Sequence, residues 1–205
     1  MQASPVRIDG RIAGAPAGDA GIVLESDNPR VLTDLSDPPS GPPPSAALGP
    51  DGGEAFSEFY RAAYADVARA LSYTLGDVEL GREATDEAMA RAYASWDKIR
   101  DFDSPAGWTY RVGLNWAYST RRRLVRALPF VARSHAAEPP ISDPAVATAL
   151  GNLDFKLRAV VVCRLLLDWS VEETAEALRI KPGTVKSRLH RALAILERSL
   201  GHMRS

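Results

Sequence analysis

The 205-residue chain has a single cysteine, which excludes two kinds of scaffold at once. Cys163 can form no internal disulfide, and no Cys/His cluster with zinc-ligand spacing accompanies it. The fold must therefore rest on packing, and a reducing cytoplasm is the expected compartment. Long apolar runs are missing too. Nothing approaches the roughly 18 residues of a membrane span, and the N-terminus lacks the basic start and apolar stretch of a secretory signal. Neither paired carboxylates nor a nucleophile–histidine pairing occurs, so the expectation is a non-enzyme without metal or cofactor. Aromatic residues are absent before Phe56, and acidic ones are absent between Ser104 and Arg126.

Those last two gaps set the organisation. Residues 1–53 hold nine prolines and eight glycines but no aromatic ring, too little apolar surface to offset the entropy of ordering; a disordered extension is expected. The formal net charge of −1 conceals an alternation. Residues 1–53 carry 3 basic and 7 acidic side chains, and residues 54–103 carry 6 and 11. Residues 104–126 carry 5 basic and no acidic ones, and residues 156–205 carry 10 and 5. Two acidic blocks thus alternate with two basic ones, each basic block with a balance of +5.

From Glu54 the pattern is helical. Phe56, Phe59, Tyr60, Ala63, Val67, Ala70 and Leu71 form one apolar stripe, and Gly76 is a plausible stop. A second helix is expected from about Leu80 to Trp96. A third opens at Ser104-Pro105, an N-cap followed by proline in the first turn, and runs into Arg121-Arg122-Arg123. Pro129, Pro139-Pro140 and Pro144 mark residues 127–152 as a linker, and helical periodicity resumes at Phe155. The expected architecture is all-α: a helical domain at 54–126, a flexible linker at 127–152 and a second helical domain at 153–205.

Ser170-Val171-Glu172-Glu173 reads as a capping box. Its helix ends near Leu178, Arg179-Ile180-Lys181 turn the chain, and Pro182 starts the next helix. Two helices joined so tightly describe a helix-turn-helix, whose second helix enters the major groove. On a wheel of about 100° per residue, Val185, Leu189, Ala192, Leu193 and Leu196 share the buried side. Thr184, Ser187, His190 and Arg191 look outward, bordered by Lys186 and Arg188. Small polar groups at the centre suit base edges, and flanking cations suit phosphates. Cys163 lies on the apolar face of the preceding helix and reads as a small core residue.

In the first domain Glu79, Glu83 and Glu87 recur every four residues beside Asp86. Such a run is by itself a solvated face, although like charges at that spacing repel and favour a basic partner. The third helix interleaves Trp108, Tyr110, Trp116 and Tyr118 with Arg111 and Arg121-Arg122-Arg123, the mixture that grips unstacked bases and their backbone. Some of these rings are expected in the core.

These residues, in this order, resemble the extracytoplasmic-function (ECF) group of bacterial RNA polymerase sigma factors. Residues 55–126 are similar to region 2, and residues 150–200 to region 4. The resemblance is carried by the runs Ser170–Leu178 and Gly183–Ala192, by Thr85–Tyr93, and by Trp108–Asn115 with the arginine triplet. It implies a bacterial cytoplasmic initiation factor that binds core polymerase, directs it to promoters and assists melting. Glu83, Asp86, Glu87 and Arg91 would meet the β′ coiled coil, and the C-terminal domain the β flap. Trp108, Arg111, Asn115, Trp116, Arg121, Arg122 and Arg123 would meet the minus-ten element. Lys181, Thr184, Lys186, Ser187, Arg188, His190 and Arg191 would meet the minus-thirty-five element. The linker would thread the polymerase cleft, and an anti-sigma factor is an expected further partner. Three positions depart from the pattern: Leu114 replaces the usual Arg, Ser119 a common Asp, and Arg179 the Gly of the turn. A stand-alone helix-turn-helix regulator, or a polymerase-binding adaptor that does not open promoters, are the alternative readings.

Overall fold

A computed structural model describes residues 50–127 and 144–202, and every regular element among them is helical. The expected extension at 1–53 lies almost wholly outside the described residues. Helix α1 spans Pro50–Leu75 and so begins four residues before Glu54, where the helical pattern starts in sequence. Proline is compatible with a helix's first turn, where its missing N–H leaves no bond unmade. Val67, Ala70, Leu71 and Leu75 are buried, while Phe56 and Phe59 are half-buried. Gly76, at φ +70°, ends the helix, and its N–H bonds to the Ser72 carbonyl at 2.8 Å. The Asp77 carboxylate then accepts from the Leu80 amide and caps α2, Val78–Ala94.

The single helix expected up to Trp96 is interrupted at Ser95, and one further turn, α3 (Trp96–Ile99), follows. Helix α4, Pro105–Ala127, starts where the sequence predicts: the Ser104 hydroxyl accepts from the Gly107 amide at 3.0 Å. Helices α1, α2 and α4 pack together. They approach closely where Gly81 faces Ser72 and where Gly113 faces Leu71 and Ala84.

In the second unit, α5 (Pro144–Gly151) occupies the end of the stretch expected to be linker. Pro144 looks like a breaker in sequence but stands at the helix start. The helix packs on the last helix of the chain and thereby belongs with the C-terminal unit. Helix α6, Phe155–Val161, is capped by Asp154 and runs into a π-helical turn, Val162–Leu166. Helix α7, Val171–Leu178, opens on the predicted capping box, with both reciprocal bonds formed. Arg179 is left-handed at φ 49°, so the departure from glycine costs on the order of 1 kcal/mol. Helix α8, Pro182–His202, completes the helix-turn-helix.

The two units are joined by a shared core. Tyr110 is fully buried, its hydroxyl 2.7 Å from Thr74 Oγ1 and its ring edge-on to Trp169. Val162 and Cys163 pack in one cluster with Val67, Leu71 and Leu114. Burial pushes the Cys163 thiol up to about 12 and raises the Tyr110 phenol well above its ordinary value. Cys163 is therefore a core residue, as predicted, but of a core that spans both units. Arg158, 7% exposed, donates to the Gly151 and Leu153 carbonyls. Its guanidinium also fills the space in front of Gly76 at the C-terminal end of α1.

Candidate functional site

The chemistry-bearing residues fall on three surfaces. The first is the exposed side of α2. Glu79, Glu83 and Asp86 are exposed and Glu87 is half-buried. The stripe is not uniformly bare: Glu87 pairs with Arg91 at 2.8 Å, and the Asp86 carboxylate accepts from the Tyr64 hydroxyl of α1 at 2.8 Å. That hydrogen bond, with burial, holds the Tyr64 phenol up at about 12, so it stays a donor. An aromatic row adjoins the acids: Phe56 packs against Tyr60 and edge-on to Tyr93, and Tyr60 packs against Tyr64. Tyr60 and Tyr93 are each about 40% exposed. Sequence patterning assigned Tyr60 to the core stripe. The pairing of α1 with α2, which turns this edge outward, is what a single-helix wheel cannot see.

The second surface is α4. Tyr110, Val112, Leu114 and Ala117 are buried. Trp108 is half-buried against the cluster of Ala92, Trp96 and Ile99, and Trp116 is half-buried against the main core. Asn115 and Arg121 are half-buried, while Arg122 and Arg123 are exposed. Leu114, the departure beside Asn115, is 5% exposed and anchors the helix. Ser119 turns its hydroxyl back to the Trp116 carbonyl at 2.9 Å. Arg111 differs from its neighbours: it is held under α7, donating to the Glu176 carbonyl at 3.3 Å. Burial and the nearby Arg179 lower its pKa, and Glu176 opposes them.

The third surface is the outer side of α8. Lys181, Lys186, Ser187, His190 and Arg191 are exposed, and Thr184 and Arg188 are half-buried. Burial lowers the Arg188 pKa, with Asp154 pulling the other way. Ser187 donates to the Thr184 carbonyl and Arg191 to the Ser187 carbonyl, so both side chains lie along the helix. Val185 and Ala192 are fully buried, as the wheel predicts. Leu193 is not: at 44% exposed it falls off the edge of the buried stripe. All seven candidate residues of this helix and its turn thus lie on one continuous element. The seven of α4 share a helix, but Arg111, half-buried like Asn115 and Arg121, is turned to the Glu176 carbonyl on the helix's flank.

Residues 144–196 match the family model described as sigma-70, region 4. The chain is 33% identical over 153 residues to the RNA polymerase sigma-E factor of Streptomyces coelicolor, covering 71% of this chain and 85% of the relative. It is 31% identical over 136 residues to the ECF RNA polymerase sigma factor SigL of Mycobacterium tuberculosis, covering 61% of this chain and 77% of the relative. The fold is similar to that of the sigma factor RpoE from Bartonella quintana, solved in complex with the anti-sigma factor NepR. That likeness has a TM-score of 0.63 at 19% identity, over 71% of this chain and 96% of the other. Among the described residues no helix is long and apolar enough to cross a membrane.

Proposed function

Because the chain belongs to the extracytoplasmic-function group of RNA polymerase sigma factors, we propose that it binds core polymerase, carries it to a specific set of promoters and assists their melting. The acidic and aromatic side of α2, with Glu83, Asp86, Glu87 and Arg91, takes the core enzyme's β′ coiled coil. The C-terminal unit takes the β flap. The outer side of α8, with Lys181, Thr184, Lys186, Ser187, Arg188, His190 and Arg191, reads the minus-thirty-five element in the major groove. Trp108, Arg111, Asn115, Trp116 and the arginine triplet of α4 hold the melted minus-ten strand by stacking and phosphate pairing. The chemistry of RNA synthesis stays with the polymerase. An anti-sigma factor is a further partner, a reading supported by the fold neighbour captured with its own.

The observation that carries this reading is the length of the match. A 153-residue alignment cannot fit within the 59 described residues of the C-terminal unit, so it extends into the α1–α4 unit as well. A free-standing helix-turn-helix regulator has no need of the α1–α4 unit. The test is transcription in vitro from genomic fragments with sigma-free core polymerase and the full chain. Discrete start sites preceded by a shared two-part sequence are expected. Binding to core without any specific start would leave the adaptor reading in its place.

A further inference from the structure

Resting on the assignment of α2 to the core enzyme, we propose that Tyr64 of α1 is a positioning residue of that interface. It aims the Asp86 carboxylate at the partner and makes Asp86, rather than the glutamates around it, the anchor of the stripe.

The four acids of α2 are not equivalent. Glu79 lies 3.7 Å from Arg82 and Glu87 lies 2.8 Å from Arg91, so each has a cation of its own helix to offset it. Glu83 and Asp86 enter no ion pair among the described residues. Asp86 differs from Glu83 in being held: the hydroxyl of Tyr64, 22 residues earlier on α1, donates to its Oδ1 at 2.8 Å. A neutral donor fixes the carboxylate without cancelling its charge. Oδ2 stays available to a partner, since a carboxylate offers about four acceptor positions. The bond to Asp86, with burial, pushes the Tyr64 phenol up to about 12, so at neutral pH it stays a donor rather than a second anion.

The donor is itself held. Tyr64 is half-buried, and its ring packs on that of Tyr60 with centroids 4.9 Å apart. Tyr60 packs on Phe56 at 6.2 Å, and Phe56 meets the buried Trp96 edge-on at 5.4 Å. A row of rings thus runs from the core of the first unit to the carboxylate, each limiting the rotamers of the next. A charged group already fixed in its bound geometry loses less side-chain freedom on association, and its affinity rises accordingly.

Tyr64→Phe isolates the bond, because it removes one oxygen and keeps the ring on Tyr60. Titration of labelled core polymerase with this full-length variant should show an affinity about fivefold lower, with the helical circular dichroism spectrum unchanged. In an Asp86→Ala background the same substitution should change affinity less than about twofold, because Tyr64 then has nothing to aim. Asp86→Ala alone should cost at least about three times more affinity than Glu83→Ala or Glu87→Ala. Introducing 4-aminophenylalanine at position 64 puts back a neutral N–H donor and should recover most of the wild-type affinity, a rescue that a purely structural ring would not show.

Wild-type affinity in Tyr64→Phe would overturn the proposal. So would an equal loss in both backgrounds, since the hydroxyl would then touch the partner or support the fold directly. Failure of the amino analogue to rescue would overturn it too. Should the wild-type chain itself not bind core, the sigma reading fails, and this proposal falls with it.

Discussion

Replacing Asp86 and Glu87 together by arginine is expected to lower affinity for core polymerase at least a hundredfold while leaving the helical circular dichroism spectrum intact. Both side chains sit on the outer half of α2, and neither fills the core: Asp86 is exposed and Glu87 half-buried. The fold therefore loses two modest local contacts, the Tyr64 hydroxyl to Asp86 and the Arg91 pair with Glu87. Exposed pairs of this kind contribute at most about 1 kcal/mol. The binding side changes by four charge units. Opposed charges near a protein surface interact by a few kcal/mol at about 4 Å. Reversing two of them against a basic partner thus removes about 3 kcal/mol or more, which corresponds to roughly a hundredfold in Kd. Titration of labelled core with the variant measures it. An affinity within threefold of wild type would reduce the acidic stripe to a solvated face.

The stripe was legible in sequence because spacing alone places Glu79, Glu83 and Glu87 on one side of a helix. The same holds for Ser170 with Glu173, for Ser104-Pro105 and for Pro182, where the signal is a short-range hydrogen bond or a missing one. Arg179 stands where the turn calls for glycine and is left-handed. What sequence could not supply is which apolar faces meet. Tyr110 and Cys163 each read as an aromatic or apolar position of its own helix, and nothing in periodicity says that they share one core. For the same reason Arg111 read as a free cation of α4, whereas its partner comes from a helix 65 residues away along the chain. Proline misled once. Within 127–152 it marked a break, yet Pro144 begins α5, because the residue that cannot continue a helix is well suited to start one. Asp77 before Val78 is an N-cap signal, and its carboxylate caps α2.

Gly81→Ala carries the largest expected cost to the fold itself, and its sign runs against intrinsic propensity. In an isolated helix the change from glycine to alanine stabilises by about 0.5–1 kcal/mol. Here Gly81 sits where α2 crosses α1. An added Cβ would meet the Ser72 hydroxyl and stand 2.6 Å from both the Ser72 nitrogen and its Cα. Those last two are backbone atoms, so no rotamer change relieves the clash; the helices must separate. Separation loosens the cluster of Val67, Leu71, Ala84 and Leu114 and pulls at Thr74, which bonds Tyr110 in the core shared with the second unit. Overpacking of this kind costs about 1–3 kcal/mol and occasionally more. A net loss of about 2 kcal/mol lowers Tm by roughly 10 °C in a domain of this size. Gly183→Ala is the control: it lies in α8 with nothing within 4 Å of the added carbon, and should leave Tm unchanged or slightly raised. Thermal unfolding followed at 222 nm distinguishes the two, and equal Tm values would mean that α1 and α2 do not cross at Gly81. Because Asp86 and Glu87 follow Gly81 on the same helix, any shift of α2 also moves the acidic stripe. The variant should therefore weaken core binding even at temperatures where it remains folded.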